Sequence, residues 1–230
     1  MTVRAAIYFT PPRDSELARF AASWLGRDMA ADQEVPRCAV DGIDAACQAA
    51  ITRSPRHYGF HATLKAPFEL ASSASLETLH HAVANFVAGR RSVEAPRLEL
   101  RAFHGFLALM LSEPAEGVGR FADTCVEAFE RFRAPLSDGD VARRREADLT
   151  PHQDELLLRW GYPYVFEEFS FHMTLTEQLP NGQCRQVHQA LSPHVAPFCG
   201  EPLMLDAVSL VAQADRQAPF VVVERFALRG

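Results

Sequence analysis

The stretch Tyr58-Gly59-Phe60-His61-Ala62-Thr63-Leu64-Lys65-Ala66-Pro67-Phe68 alternates apolar and polar side chains. Phe60, Ala62, Leu64 and Ala66 take one parity, and His61, Thr63 and Lys65 take the other. A period of two predicts a β-strand whose residues i, i+2 and i+4 share a face. An imidazole, a hydroxyl and an ammonium are thus expected side by side, backed by an apolar face fit for a core. The frame returns at Phe171-His172-Met173-Thr174-Leu175-Thr176, with Phe, Met and Leu on one side and His, Thr and Thr on the other. A single His-x-Thr recurs by chance. Two Phe-His-x-Thr-Leu units, both in strand phase, organise the chain.

Outward from these units the halves rhyme. Arg4 to Thr10 reads as a first strand ending at Pro11-Pro12. A helix follows from Asp14 or Ser15 to Leu25, stopped by Gly26. After an irregular stretch over 27–41, Ile43 to Ile51 is helical and ends near Ser54-Pro55. Ser75 caps a helix through Leu79, Val83 and Val87. Strands are expected over Arg97–Phe103 and Phe106–Ser112, then a helix over 118–132 with Phe121, Cys125, Phe129 and Phe132 as its core stripe. A long connector, 134–168, holds Arg143-Arg144-Arg145 and Gly161-Tyr162-Pro163-Tyr164. Beyond the second His-x-Thr strand, a helix through Val187 and Leu191 precedes two closing strands, Leu203–Gln213 and Phe220–Leu228. No linker is long or polar enough to part independent domains. The expectation is one bilobal α+β domain over 1–230, its largely antiparallel sheets lining a central groove.

Composition narrows the function classes. Of 230 residues, 48% are hydrophobic and 23% charged, the range of a globular protein. No stretch approaches the roughly 20 apolar residues of a membrane span, and the N-terminal apolar run is too short for a signal peptide; a cytoplasmic location is expected, with no membrane partner. Five scattered cysteines with no Cys-x-x-Cys suggest free thiols and give no zinc pattern. A net charge of −6 argues against extensive nucleic-acid binding, which demands a basic face. One small phosphorylated ligand held by a few local cations remains compatible.

If the two strands lie side by side, His61 and His172 face each other across the groove, each with a threonine hydroxyl two residues on. Histidine gives or takes a proton near neutral pH. Two of them flanking a phosphorus atom can divide the work, one as base and one as acid, while Thr63 and Thr174 donate to the phosphoryl oxygens. That scheme needs no metal and no cofactor. A metal held by the two histidines would want a carboxylate where threonine stands. A non-catalytic binder of a phosphorylated metabolite or RNA end could use the same groove.

The paired Phe-His-x-Thr-Leu units resemble the signature of the 2H phosphoesterases. The longer run Pro55-Arg56-His57-Tyr58-Gly59-Phe60-His61-Ala62-Thr63-Leu64-Lys65 resembles, more narrowly, the branch known as DUF1045, whose members are named for phosphonate metabolism. So does Arg159-Trp160-Gly161-Tyr162-Pro163-Tyr164-Val165-Phe166 leading into the second unit. The resemblance implies a bilobal fold with two pseudo-symmetric lobes, action on a small cyclic phosphodiester such as a cyclic ribose phosphate, and four catalytic positions: His61, Thr63, His172 and Thr174.

Three further residues are candidates for contact with substrate. Lys65, the only lysine beside 22 arginines, shares the parity of His61 and Thr63. Thr176 shares that of His172. Tyr8 lies on the first strand, which is expected to abut the catalytic ones. The Arg143–Arg145 run reads as a solvated helix face or a phosphate clamp. Tyr162 and Tyr164 either anchor the connector or stack on a sugar or base. The other histidines lack a matching hydroxyl and read as surface residues.

Overall fold

The computed structural model describes residues 3–230. Strand β1 (Arg4–Phe9) leads to helix α1 (Glu16–Leu25), a short hairpin of β2 (Arg27–Asp28) and β3 (Gln33–Glu34), helices α2 (Ala45–Ile51) and α3 (Arg53–Tyr58), and β4 (Ala62–Glu69). After α4 (Leu76–Val87) come β5 (Val93–Phe103) and β6 (Phe106–Leu111). Helices α5 (Glu116–Phe129), α6 (Asp138–Arg145) and α7 (Pro151–Trp160) then lead to β7 (His172–Thr174) and α8 (Asn181–Val195). Strands β8 (Pro202–Leu205), β9 (Ala207–Gln213) and β10 (Val221–Ala227) complete the order.

Eight of these strands form one sheet in the order β10-β9-β1-β4-β7-β6-β5-β8, and every neighbouring pair is antiparallel. The expected α+β class is therefore observed, with one continuous sheet rather than separate ones. Its middle is thin. Strands β4 and β7 share the single ladder pair Ala62↔Met173, and this seam divides the sheet into two four-stranded halves. Each half has a His-x-Thr strand at the seam and a helix behind it: α4 packs on β9 and β10, and α8 packs on β5 and β6. Only Asp206 separates β8, at one edge of the sheet, from β9 near the other, so the sheet curls until its ends nearly meet. The Arg91↔Arg229 bridge ties the same ends.

Local chemistry explains the elements. Ser15 caps α1 by accepting the Ala18 N–H, and Gly26 ends it with φ +75°. Leu17, Ala21, Trp24 and Leu25 form its buried stripe. Phe9, Leu64, Leu107, Leu109 and Phe129 fill the core between sheet and helices. Burial of each such side chain contributes about 1.5–3 kcal/mol. Trp24 also spans the seam, its indole N–H donating to Leu175 O at 2.8 Å.

Several boundaries differ from the expectation. The first His-x-Thr strand begins at Ala62, because residues 53–58 coil into α3 with Pro55 in its opening turn, where a missing N–H costs nothing. The connector holds two helices, α6 and α7. The segment 203–213 is two strands in opposite halves, broken at Asp206.

Candidate active site

Around the seam, β1 pairs Tyr8 with Thr63 and β6 pairs Met110 with His172. Extending the Ala62↔Met173 register by one residue each way sets Thr63 opposite His172 and His61 opposite Thr174. The register thus places each histidine across the seam from the threonine of the other motif. The two histidines lie on a diagonal, a relation that spaces residues by about 7–8 Å in antiparallel pairs. The apolar partners Ala62 and Met173 are fully buried on the reverse face.

Both histidines are held alike. Nδ1–H of His61 donates to Gly59 O at 2.9 Å, and Nδ1–H of His172 donates to Ser170 O at 2.8 Å. In each case the carbonyl two residues upstream fixes the tautomer and leaves Nε2 as the basic atom. His61 Nε2 accepts from the Thr63 hydroxyl at 3.1 Å. The ring of His61 stacks on Tyr8, with centroids 3.6 Å apart and planes 14° from parallel. His172 lies against the edge-to-face pair Phe103 and Phe106, at 5.3 and 5.8 Å from their centroids. These apolar walls disfavour the imidazolium. Burial, opposed by the Gly59 hydrogen bond and reinforced by the nearby His172, lowers His61 to about 4. Burial also lowers His172, with a smaller contribution from His104.

Two cavities meet here. One, of about 240 Å³, holds His61, Thr63, Thr174 and Tyr8 together with Arg4, Tyr58, Arg144 and Tyr162. The other, of about 730 Å³, holds His172, Phe103, His104 and Asp123. Thr63, Ala66 and Tyr162 line both.

The structure therefore gathers His61, Thr63, His172, Thr174 and Tyr8, and it does not gather Lys65 or Thr176. A β-bulge is responsible for the first departure. Ile7 pairs with Lys65 and Tyr8 with Thr63, so the register slips and Lys65 leaves the parity of the histidine. Its ammonium is buried against α5, donating to Glu130 Oε2 at 2.7 Å and Val126 O at 3.1 Å. Thr176 departs because the ladder ends before it: Leu107 O accepts from both Leu175 N and Thr176 N. Its buried hydroxyl accepts the Leu107 N–H at 2.9 Å and donates to Glu177 O at 2.8 Å. We expect Lys65→Met to leave KM unchanged and lower unfolding stability by about 1.5–3 kcal/mol, the worth of a charged hydrogen bond whose acceptor keeps Arg133. Denaturant titration beside steady-state kinetics checks both halves of that statement.

Arg4 and Arg144 are the cavity residues least visible in the sequence. Strand parity could have found Arg4, which lies at i−4 from Tyr8 on an unbroken strand. Of the three consecutive arginines, Arg143 pairs with Asp140 and Arg145 with Asp154, while Arg144 turns to the cavity, 4.6 Å from the Tyr162 ring. Tyr162 and Arg144 together show how the connector reaches the histidines.

Residues 63–221 match the model of a family described as "Protein of unknown function (DUF1045)". The chain is 37% identical over 231 residues to ribose 1,5-bisphosphate phosphokinase PhnN of Janthinobacterium sp. (strain Marseille), covering 99% of this chain and 51% of that protein. It is 36% identical over 177 residues to the PhnN of Laribacter hongkongensis (strain HLHK9), covering 77% and 40%. The chain thus spans about half the length, or less, of these curated relatives. Among solved structures it is similar to E. coli LigT complexed with 3′-AMP, at 13% identity and TM-score 0.49 over the whole of both chains. A crystal structure titled simply as a phosphoesterase gives 14% and 0.44, again over the whole of both. No helix among the described residues is long and apolar enough to cross a membrane.

Proposed function

We propose, for a chain that belongs to the DUF1045 family, metal-independent hydrolysis of a small cyclic phosphodiester by the 2H phosphoesterase scheme. The observation that carries this reading is the matched pair of histidines, each oriented by the carbonyl two residues upstream and set across the seam from the other motif's threonine. His61, the imidazole lowered further toward neutrality, is the base. Its Nε2 takes a proton from water as the water oxygen bonds to phosphorus. The P–O bond to the leaving oxygen breaks, and protonated His172 supplies the proton that this oxygen needs. Thr63, its hydroxyl released from His61 Nε2 as the water takes that nitrogen, and Thr174 donate to the two non-bridging oxygens, where charge builds. Tyr8 keeps the His61 ring in place by stacking. The relatives' name, ribose 1,5-bisphosphate phosphokinase, supports a ribose phosphate as substrate class, and the DUF1045 resemblance supports a place in phosphonate metabolism.

The reading is tested by incubating the protein with cyclic ribose phosphates and nucleoside 2′,3′-cyclic phosphates and following the release of monoester by ³¹P NMR, with and without EDTA. Turnover that survives chelation supports it; binding without turnover is the behaviour of a non-catalytic receptor.

The pH dependence has a definite sign. On the free enzyme kcat/KM needs His61 neutral and His172 protonated. It is expected to fall below about 4, where His61 gains its proton, and to fall again on an alkaline limb that lies under 6.5, because His172 is lowered from that value. The optimum is therefore mildly acidic, and an alkaline limb well above 7 would remove His172 from the acid role. The same lowering acts on stability. Below 6.5 the unfolded chain takes up protons that the fold refuses until about 4, so stability declines with falling pH across that window.

A further inference from the structure

We propose that Arg4 and Arg144 form a second anion subsite beside His61, which receives a phosphomonoester carried by the same small molecule as the cyclic phosphodiester. The inference rests on the hydrolytic reading above and adds the substrate class: a single sugar bearing two phosphoryl groups.

The arginines of this region divide sharply. Arg143 and Arg216 share Asp140, Arg216 also takes Glu69, Arg145 takes Asp154, and Arg133 takes Glu130. Among the described residues, neither Arg4 nor Arg144 has a carboxylate within ion-pair distance. Arg4 donates to the neutral Gln213 Oε1 at 2.8 Å and lies 5.6 Å over the Phe220 ring. Arg144 lies over Tyr162. Both are half-buried, and both line the small cavity that contains His61, Thr63 and Thr174.

Two guanidiniums held near each other without a counter-charge repel, and partial burial strips away the water that would screen them. Burial, followed by the charge of Arg216, makes the Arg4 guanidinium less favourable than in water, and Arg144 adds to the effect. An acid side chain would relieve this, and the same segment places acids on its other arginines. The two left uncompensated are the two that reach the cavity. Phosphate is the matching ligand class, because a guanidinium presents a planar fork to two of its oxygens. About 240 Å³ shared with His61 and both threonines sets the scale at one sugar. Tyr58 and Tyr162 wall the space between.

The test compares two probes, ribose 5-phosphate 1,2-cyclic phosphate and ribose 1,2-cyclic phosphate, on the full chain and on Arg4→Gln and Arg144→Gln. The expected result is a preference of the unaltered protein for the 5-phosphorylated probe, in kcat/KM, that shrinks about 10- to 100-fold in each variant, mostly through KM. Arg144→Lys is expected to recover part of it. A preference equal in protein and variants overturns the subsite, as does no preference at all. If neither probe turns over, the hydrolytic reading fails by itself, and calorimetric titration with ribose 5-phosphate still decides the subsite. Weaker binding by the variants supports it, and equal or absent binding to all three proteins overturns it.

Discussion

Alanine at His61 or at His172 is expected to lower kcat on a cyclic phosphodiester by about 10²–10⁴-fold, the range of a single proton transfer. The loss follows from geometry. Each imidazole has one nitrogen engaged with a backbone carbonyl and presents the other, and the neighbouring threonine hydroxyl cannot replace it as base or acid. KM should move far less, since the phosphoryl oxygens keep Thr63 and Thr174. The double variant should fall short of the product of the single losses, because two groups acting in one step are not independent. Steady-state kinetics beside thermal unfolding checks this, as a fall in kcat with an unshifted melting temperature belongs to chemistry. Variants that retain kcat within tenfold and lose only affinity would turn the groove into a receptor.

Gly59→Ala is expected to lower unfolding stability by about 2–6 kcal/mol, combining a backbone strained for any Cβ with overpacking of a filled site. Gly59 sits at φ +78°, ψ 170°, a region that glycine alone occupies comfortably. A Cβ there would lie 2.8 Å from Met29 Cβ and closer still to its sulfur. The residue also joins helix to site. Its N–H caps α3 on Pro55 O at 2.8 Å, and its carbonyl orients His61. Activity should therefore fall along with stability. Gly42→Ala is the control: with φ +82° and nothing within 4 Å of the new Cβ, it carries the backbone cost alone. Equal denaturation midpoints for the two variants would remove the packing argument.

The alternation of Phe60–Leu64 and of Phe171–Leu175 was legible without coordinates, because strand parity is a local property. So were the helices at Glu16–Leu25 and Leu76–Val87, each with a serine cap and an apolar stripe. The positions of Lys65 and Thr176 were not. A bulge adds one residue to one strand, and its signal is the partner strand's register, which a linear pattern does not contain. The short β7 illustrates the same limit: its pairing stops where one carbonyl, Leu107 O, takes two donors. Arg144 was ambiguous for a different reason, since three like charges in a row are told apart only by where the acids Asp140 and Asp154 fall in space.

The placement of Asp206 between β8 and β9 orders the assembly of the molecule in time. Strands β5 to β8 run uninterrupted from Val93 to Leu205, so the ribosome delivers one half of the sheet as a contiguous block. The other half opens with Arg4 and waits for β9 and β10, which follow β8 along the chain. At about 5–20 residues per second, the His172 side has its whole set of strands synthesised seconds before the His61 side has its own.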